Sequence, residues 1–187
     1  MLYIFAIQTG LRASEIESIL TTDLRLEGDK PHVYCRADIT KNKKEARQYF
    51  DASLAAGLSE ITAKKSPGAS VFAIQAGCDL AEMLRADLAD ARNLLLAEAK
   101  LDAVELTRRN ESDFLLPKNH QGETLDFHGL RHTCGAWLAL QRVHLKTIQN
   151  VMRHSVITLT MDTYGHRLPD QQSDAVASMS GQFNRNN

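Results

Sequence analysis

The chain has 187 residues, 43% of them hydrophobic and 24% charged, with a net charge of −1. That is enough for one domain with a real core, and too apolar for a largely disordered chain. The near-zero net charge excludes a surface that is cationic all over, and no apolar run approaches the roughly 18–20 residues of a membrane span. The apolar start, Met1 to Ile7, has no charged flank of a secretory leader and reads as a buried helix. Cys35, Cys78 and Cys134 are odd in number and far apart. They therefore predict buried small hydrophobes in a reducing, intracellular setting rather than a disulfide framework.

The charge is zoned. Residues 36–65 carry a net +3, residues 79–113 a net −4, and residues 114–187 a net +2. Such zoning would let one face meet a phosphate backbone. In chain order, residues 1–9 predict a helix stopped by Gly10, and residues 13–20 a second helix with Ile16, Ile19 and Leu20 on its apolar face. Glu27 to Pro31 is turn chemistry, followed by a strand over 32–39, a polar hairpin turn over 40–45 and a return strand over 47–50. Residues 51–62 predict a helix and Lys65 to Gly68 a break. Residues 79–109 lack Gly and Pro and predict one long helix or two. Phe114 to Leu116 reads as a short strand. Leu130, Cys134, Trp137 and Leu138 mark the stripe of a helix over 130–140, with short helices at 147–153 and 157–164. The predicted class is mainly α with a small antiparallel β-sheet (α+β).

Four short segments carry the chemistry. In Thr9-Gly10-Leu11-Arg12-Ala13-Ser14-Glu15 an arginine occupies a tight interhelical turn, where its fork can meet an anion. Lys41, with Lys43 and Lys44 behind it, stands in the hairpin turn, placed to reach a DNA groove. His128-Gly129-Leu130-Arg131-His132-Thr133 opens a helix, with His128 and Arg131 three apart at an end whose dipole favours anions. His128 and His132 also have i, i+4 metal-ligand spacing, but Gly129 stands where a zinc protease needs glutamate, and no third ligand is apparent. Last comes Arg153-His154-Ser155, ten residues ahead of Tyr164-Gly165-His166.

In this order and at these separations the segments resemble the tyrosine recombinase (phage integrase) family, from Tyr3 to about Arg167. The resemblance implies a catalytic domain of that fold over residues 1–168. The N-terminal DNA-clamping domain and opening helix would be missing, and residues 169–187 would form a tail that is partly disordered or docked on a partner. It makes Arg12, Lys41, His128, Arg131, His154 and Tyr164 the catalytic set. Tyr164 would be the nucleophile, Arg12, Arg131 and His154 the phosphate-binding groups, and Lys43, Lys44 and Arg153 further DNA contacts. Arg153 stands where relatives usually carry glycine. The activity implied is metal-independent cleavage and rejoining of double-stranded DNA through a 3′-phosphotyrosyl intermediate, without cofactor, in the cytoplasm at the nucleoid. Self-association on DNA, a tetrameric synapse in relatives, is implied with it. Two alternatives stand beside this reading: a truncated, catalytically inactive DNA-binding remnant, and a helical module holding a metal on His128 and His132.

Overall fold

A computed structural model describes residues 1–75 and 77–164. The chain divides into two compact units, residues 1–133 and residues 134–187.

The first unit opens with α1 (Leu2–Thr9), which ends where Gly10 adopts φ 60° and its N–H returns to the Ala6 carbonyl at 3.0 Å. Such a left-handed C-cap suits glycine because it has no Cβ to clash. The second helix, α2, covers only Ala13–Glu17 and not the expected 13–20. Its continuation is diverted because Leu20 turns extended and gives its N–H to the Asp23 carboxylate at 2.9 Å, while the Ile19 carbonyl accepts from Val71 at 3.0 Å. A 3-10 turn at Thr21–Asp23 leads into β1 (Leu24–Arg25), which the sequence did not suggest.

Strands β2 (His32–Cys35) and β3 (Ala46–Tyr49) form the expected hairpin, with Cys35 opposite Ala46 and His32 opposite Tyr49. β1 pairs antiparallel with β2, completing the order β1-β2-β3. β2 is shorter than expected, since residues 36–39 already belong to a wide turn. The buried Thr40 hydroxyl closes that turn on the Ala37 and Lys44 carbonyls at 3.1 and 2.9 Å.

Asp51 caps α3 (Ala52–Thr62), accepting the Leu54 N–H at 2.7 Å and the Gln8 amide at 2.7 Å, which ties α3 to α1. The long Gly- and Pro-free stretch resolves into α4 (Leu80–Glu98) and α5 (Ala103–Glu111), with Asp79 and Asp102 as N-caps. The Arg92 guanidinium bonds the Phe114, Arg109 and Asn110 carbonyls and so fastens the two helices together. Phe114 to Leu116 is not a strand. Leu115 has φ 65°, which no extended strand accommodates, and only an isolated bridge between Lys118 and Thr124 follows. The core of this unit gathers Phe5, Leu11, Ile16, Ile19, Val33 and Leu58, all buried, under the sheet, α1, α2 and α3.

Helix α6 spans Phe127–Leu140, beginning three residues before the expected start because Asp126 accepts the Gly129 N–H at 2.8 Å. Trp137, assigned above to its apolar stripe, is 55% exposed. In the second unit α7 (Leu145–Met152) and α8 (Ile157–Tyr164) pack on each other, with Cys134, Ala139, Ile148, Met152 and Tyr164 as their buried cluster. Cys35 and Cys134 are buried as expected, whereas Cys78 is only half-buried. No described helix is long and apolar enough to cross a membrane. The tail assigned to residues 169–187, and His166, lie outside the described residues.

Candidate active site

Arg12 is the N-cap residue of α2, extended at φ −78°, ψ 155°. Its own N–H reaches Glu15 Oε2 at 2.8 Å, and its Nη1 lies 3.3 Å from Glu15 Oε1. The Glu15 side chain is buried, so one carboxylate fixes both the backbone and the guanidinium of Arg12. Arg131 is nearly completely buried, and its Nη1 donates to the Gly10 carbonyl, across 121 positions of sequence. A charge-assisted bond of this kind aims the guanidinium rigidly. Gly10 lies two residues before Arg12, so the two arginines share one turn.

His128 stands one turn before Arg131 on α6, its ring edge-to-face with His132 at 4.9 Å and 86°. Its pKa is pushed below the ordinary 6.5, first by partial desolvation, then by the positive charge of His132 and Arg131 and, more weakly, of Arg12. Asp126 opposes this without reversing it. The influence of both arginines on one imidazole puts His128 within electrostatic reach of the cations Arg12 and Arg131.

The turn carrying Lys41, Lys43 and Lys44 is exposed. Lys43, at φ 54°, places its ammonium 3.1 Å from the Asp38 carbonyl, while Lys41 forms no hydrogen bond or ion pair among the described residues. The base of the turn is held by Arg36, whose Nη1 bonds the buried Asp23 carboxylate and whose Nη2 reaches the Ser18 carbonyl at 3.2 Å. Neither Asp23 nor Arg36 was singled out from the sequence, because an ion pair thirteen residues apart leaves no local pattern.

In the second unit, His154 and Tyr164 lie with ring planes parallel within 1° and centroids 6.4 Å apart. The His154 Nδ1 pairs with Thr160 Oγ1 at 3.0 Å, and Thr160 is fully buried. The backbone of His154 is held twice by Gln149, through its carbonyl from the His154 N–H and through its amide to the His154 carbonyl, both at 3.1 Å. Lys146 in turn holds the Gln149 side-chain oxygen at 2.8 Å. Arg153 occupies the left-handed C-cap of α7, at φ 50°, ψ 41°. A left-handed residue here is what a glycine at this position would supply most easily.

Tyr164 is 2% exposed, and its ring lies directly over Gly135 of α6: a Cβ built on Gly135 would fall 2.2 Å from Cζ and 2.5 Å from the hydroxyl. Sequence reasoning passed over Thr160, Gln149 and Gly135. Only Gly135 left a usable signal, as a lone glycine inside a helical pattern. Among the described residues no three His, Cys, Asp or Glu side chains cluster as metal ligands.

Two arginines and a histidine in one unit, and a histidine beside a tyrosine in the other, are the functional groups that the sequence pattern joined. The sequence model of the phage integrase family matches residues 1–171. The chain belongs to the phage integrase family. A tyrosine recombinase XerC-like protein of Caldanaerobacter subterraneus subsp. tengcongensis is 37% identical over 57 residues, which is 30% of this chain and 15% of that protein. Among solved structures, the XerH site-specific recombinase bound to its difH substrate before cleavage has a TM-score of 0.60 at 16% identity, covering 95% of this chain and 45% of that one. The Tn1549 transposon integrase with circular intermediate DNA has a TM-score of 0.57 at 18% identity, covering 96% and 58%. The catalytic domain of bacteriophage HP1 integrase has a TM-score of 0.53 at 21% identity, covering 94% and 79%. This integrase-family chain thus has the mostly helical fold with a small antiparallel sheet seen in those catalytic domains. It spans about half the length of the XerH and Tn1549 chains.

Proposed function

We propose that this chain carries out DNA strand cleavage and rejoining, with Tyr164 as nucleophile. The observation that carries the reading is the bond from Arg131 to the Gly10 carbonyl, because it brings two arginines from opposite ends of the first unit onto one turn beside His128. Attack on a phosphodiester builds negative charge on the non-bridging oxygens. Cations fixed beforehand stabilise that charge most in the transition state, since they need no reorganisation.

In the proposed step the Tyr164 oxygen, freed of its proton, bonds to phosphorus as the bond to the 5′ oxygen breaks. The 3′ end is left as a phosphotyrosyl ester, and the departing 5′ oxygen takes a proton from Lys41. A tyrosine with an ordinary pKa of ~10 is a weak nucleophile at neutral pH, so neighbouring cations must favour its phenolate. Arg12, Arg131 and His154 bind the phosphate, and His128, biased towards its neutral form, accepts or relays the proton. A 5′ hydroxyl from a second DNA end reverses the sequence and completes strand exchange. Lys43, Lys44 and Arg153 add phosphate contacts. The chain then acts on double-stranded DNA, self-associated there, and works in the cytoplasm at the nucleoid.

The test is covalent capture. The full chain is incubated with a labelled pool of nicked duplexes of randomised sequence and resolved under denaturing conditions. The expected result is a protein–DNA adduct that maps to Tyr164 and is absent in Tyr164→Phe. DNA binding without any adduct would replace this reading with that of a DNA-binding remnant.

A further inference from the structure

We infer that Thr160 is the positioning residue for His154, its hydroxyl donating to Nδ1 so that the imidazole presents a protonated Nε2 to the DNA phosphate. This rests on the proposed cleavage reaction for its purpose, though not for its geometry. A histidine that clamps phosphate must donate a hydrogen bond, and a neutral imidazole has one N–H to give. Which nitrogen carries it is set by the partner of the other nitrogen.

Here that partner is specific. Thr160 Oγ1 lies 3.0 Å from Nδ1, and Thr160 is fully buried, so water cannot replace it. The hydroxyl sits on α8, the helix that ends at Tyr164, so the histidine's partner and the nucleophile are one helical turn apart on the same rigid element. His154 is also fixed from its other side. Gln149, buried and held by Lys146, grips the His154 backbone at both its N–H and its carbonyl. Backbone and ring are thus set by different elements, α7 and α8. The parallel placement of the His154 and Tyr164 rings is the outcome. A buried threonine hydroxyl has a simpler structural use in bonding its own helix. The inference requires more: loss of the hydroxyl must change the state of a ring on another element.

The experiment compares Thr160→Val, which keeps the shape and loses the hydroxyl, with Thr160→Ser, which keeps the hydroxyl. In the full chain carrying 15N-labelled histidine, NMR of the ring nitrogens is expected to show one dominant Nε2–H tautomer for His154 in the wild type and in Thr160→Ser. Thr160→Val is expected to give a mixture. On a duplex recovered from the capture pool, adduct formation is expected to fall roughly 10–100-fold in Thr160→Val and to recover in Thr160→Ser. Unchanged His154 ring signals in a folded Thr160→Val would overturn the inference, as would wild-type cleavage by that variant. If Thr160→Val does not fold, Thr160→Ser decides through its ring signals, and a tautomer mixture there sinks the idea. If the wild type forms no adduct, the cleavage reading fails, while the tautomer comparison still decides this one.

Discussion

His128 meets three neighbouring cationic or potentially cationic side chains and one carboxylate, and that balance sets its chemistry. Desolvation leads, the positive charge of His132, Arg131 and Arg12 follows, and Asp126 works in the opposite sense. The neutral ring is therefore favoured at neutral pH, which is the form the proposed proton-accepting role calls for. Removing the neighbouring imidazole with His132→Ala should raise the His128 pKa towards 6.5, and Asp126→Asn should lower it further. An NMR pH titration of the His128 ring checks both. The stability linkage follows with its sign. A folded pKa below the unfolded value means that the unfolded chain takes up the proton first. Stability is thus complete above about pH 6.5 and declines as pH falls from there to the folded value. Below the folded value it is level. Because His128 is exposed, the effect on stability is small.

Gly135 shows an element giving up its own preference for a neighbour. In the middle of α6 a glycine costs about 1 kcal/mol relative to alanine, yet an added Cβ would strike the Tyr164 ring at 2.2 Å. Gly135→Ala should therefore destabilise the protein by about 1–3 kcal/mol, against its helix propensity, by overpacking. It should also displace Tyr164, the proposed nucleophile, with loss of adduct formation. Thermal unfolding and covalent capture read the two effects, and a higher Tm would show that the ring does not rest on that glycine. The same scale explains what the sequence made legible. Helices α1, α3 and α8 and the β2–β3 hairpin follow from periodicity, caps and turn residues, which are local. The early end of α2 does not, because a single Asp23 carboxylate and a bond from Val71 redirect the chain there. The candidate positions Arg12, Lys41, His128, Arg131, His154 and Tyr164 form a spaced pattern in the sequence itself. Thr160, Gln149 and Asp23 do not, because their meaning lies in partners set by tertiary structure.

At the scale of the whole molecule, the two units differ in what holds them together. The first has a core of aromatic and branched side chains, Phe5, Phe50, Phe72, Ile16, Ile19 and Val33 among them, under a sheet and three helices. Among the described residues, the buried cluster of the second is smaller, built from Cys134, Ala139, Ile148, Met152 and Tyr164. Burial contributes about 25 cal/mol per Å² of apolar surface, so the larger cluster sets the higher free energy of opening. Amide hydrogen exchange should accordingly be slowest in α1 and β2 and faster in α7 and α8, by roughly an order of magnitude for each 1.4 kcal/mol of difference in local opening free energy. Mass spectrometry of peptides covering residues 2–9, 32–35, 145–152 and 157–164 measures this directly. Equal protection throughout would mean that the two clusters open as one cooperative body. Faster exchange in α7 and α8 places His154 and Tyr164 on the less stable unit, while Arg12, His128 and Arg131 stay on the more stable one.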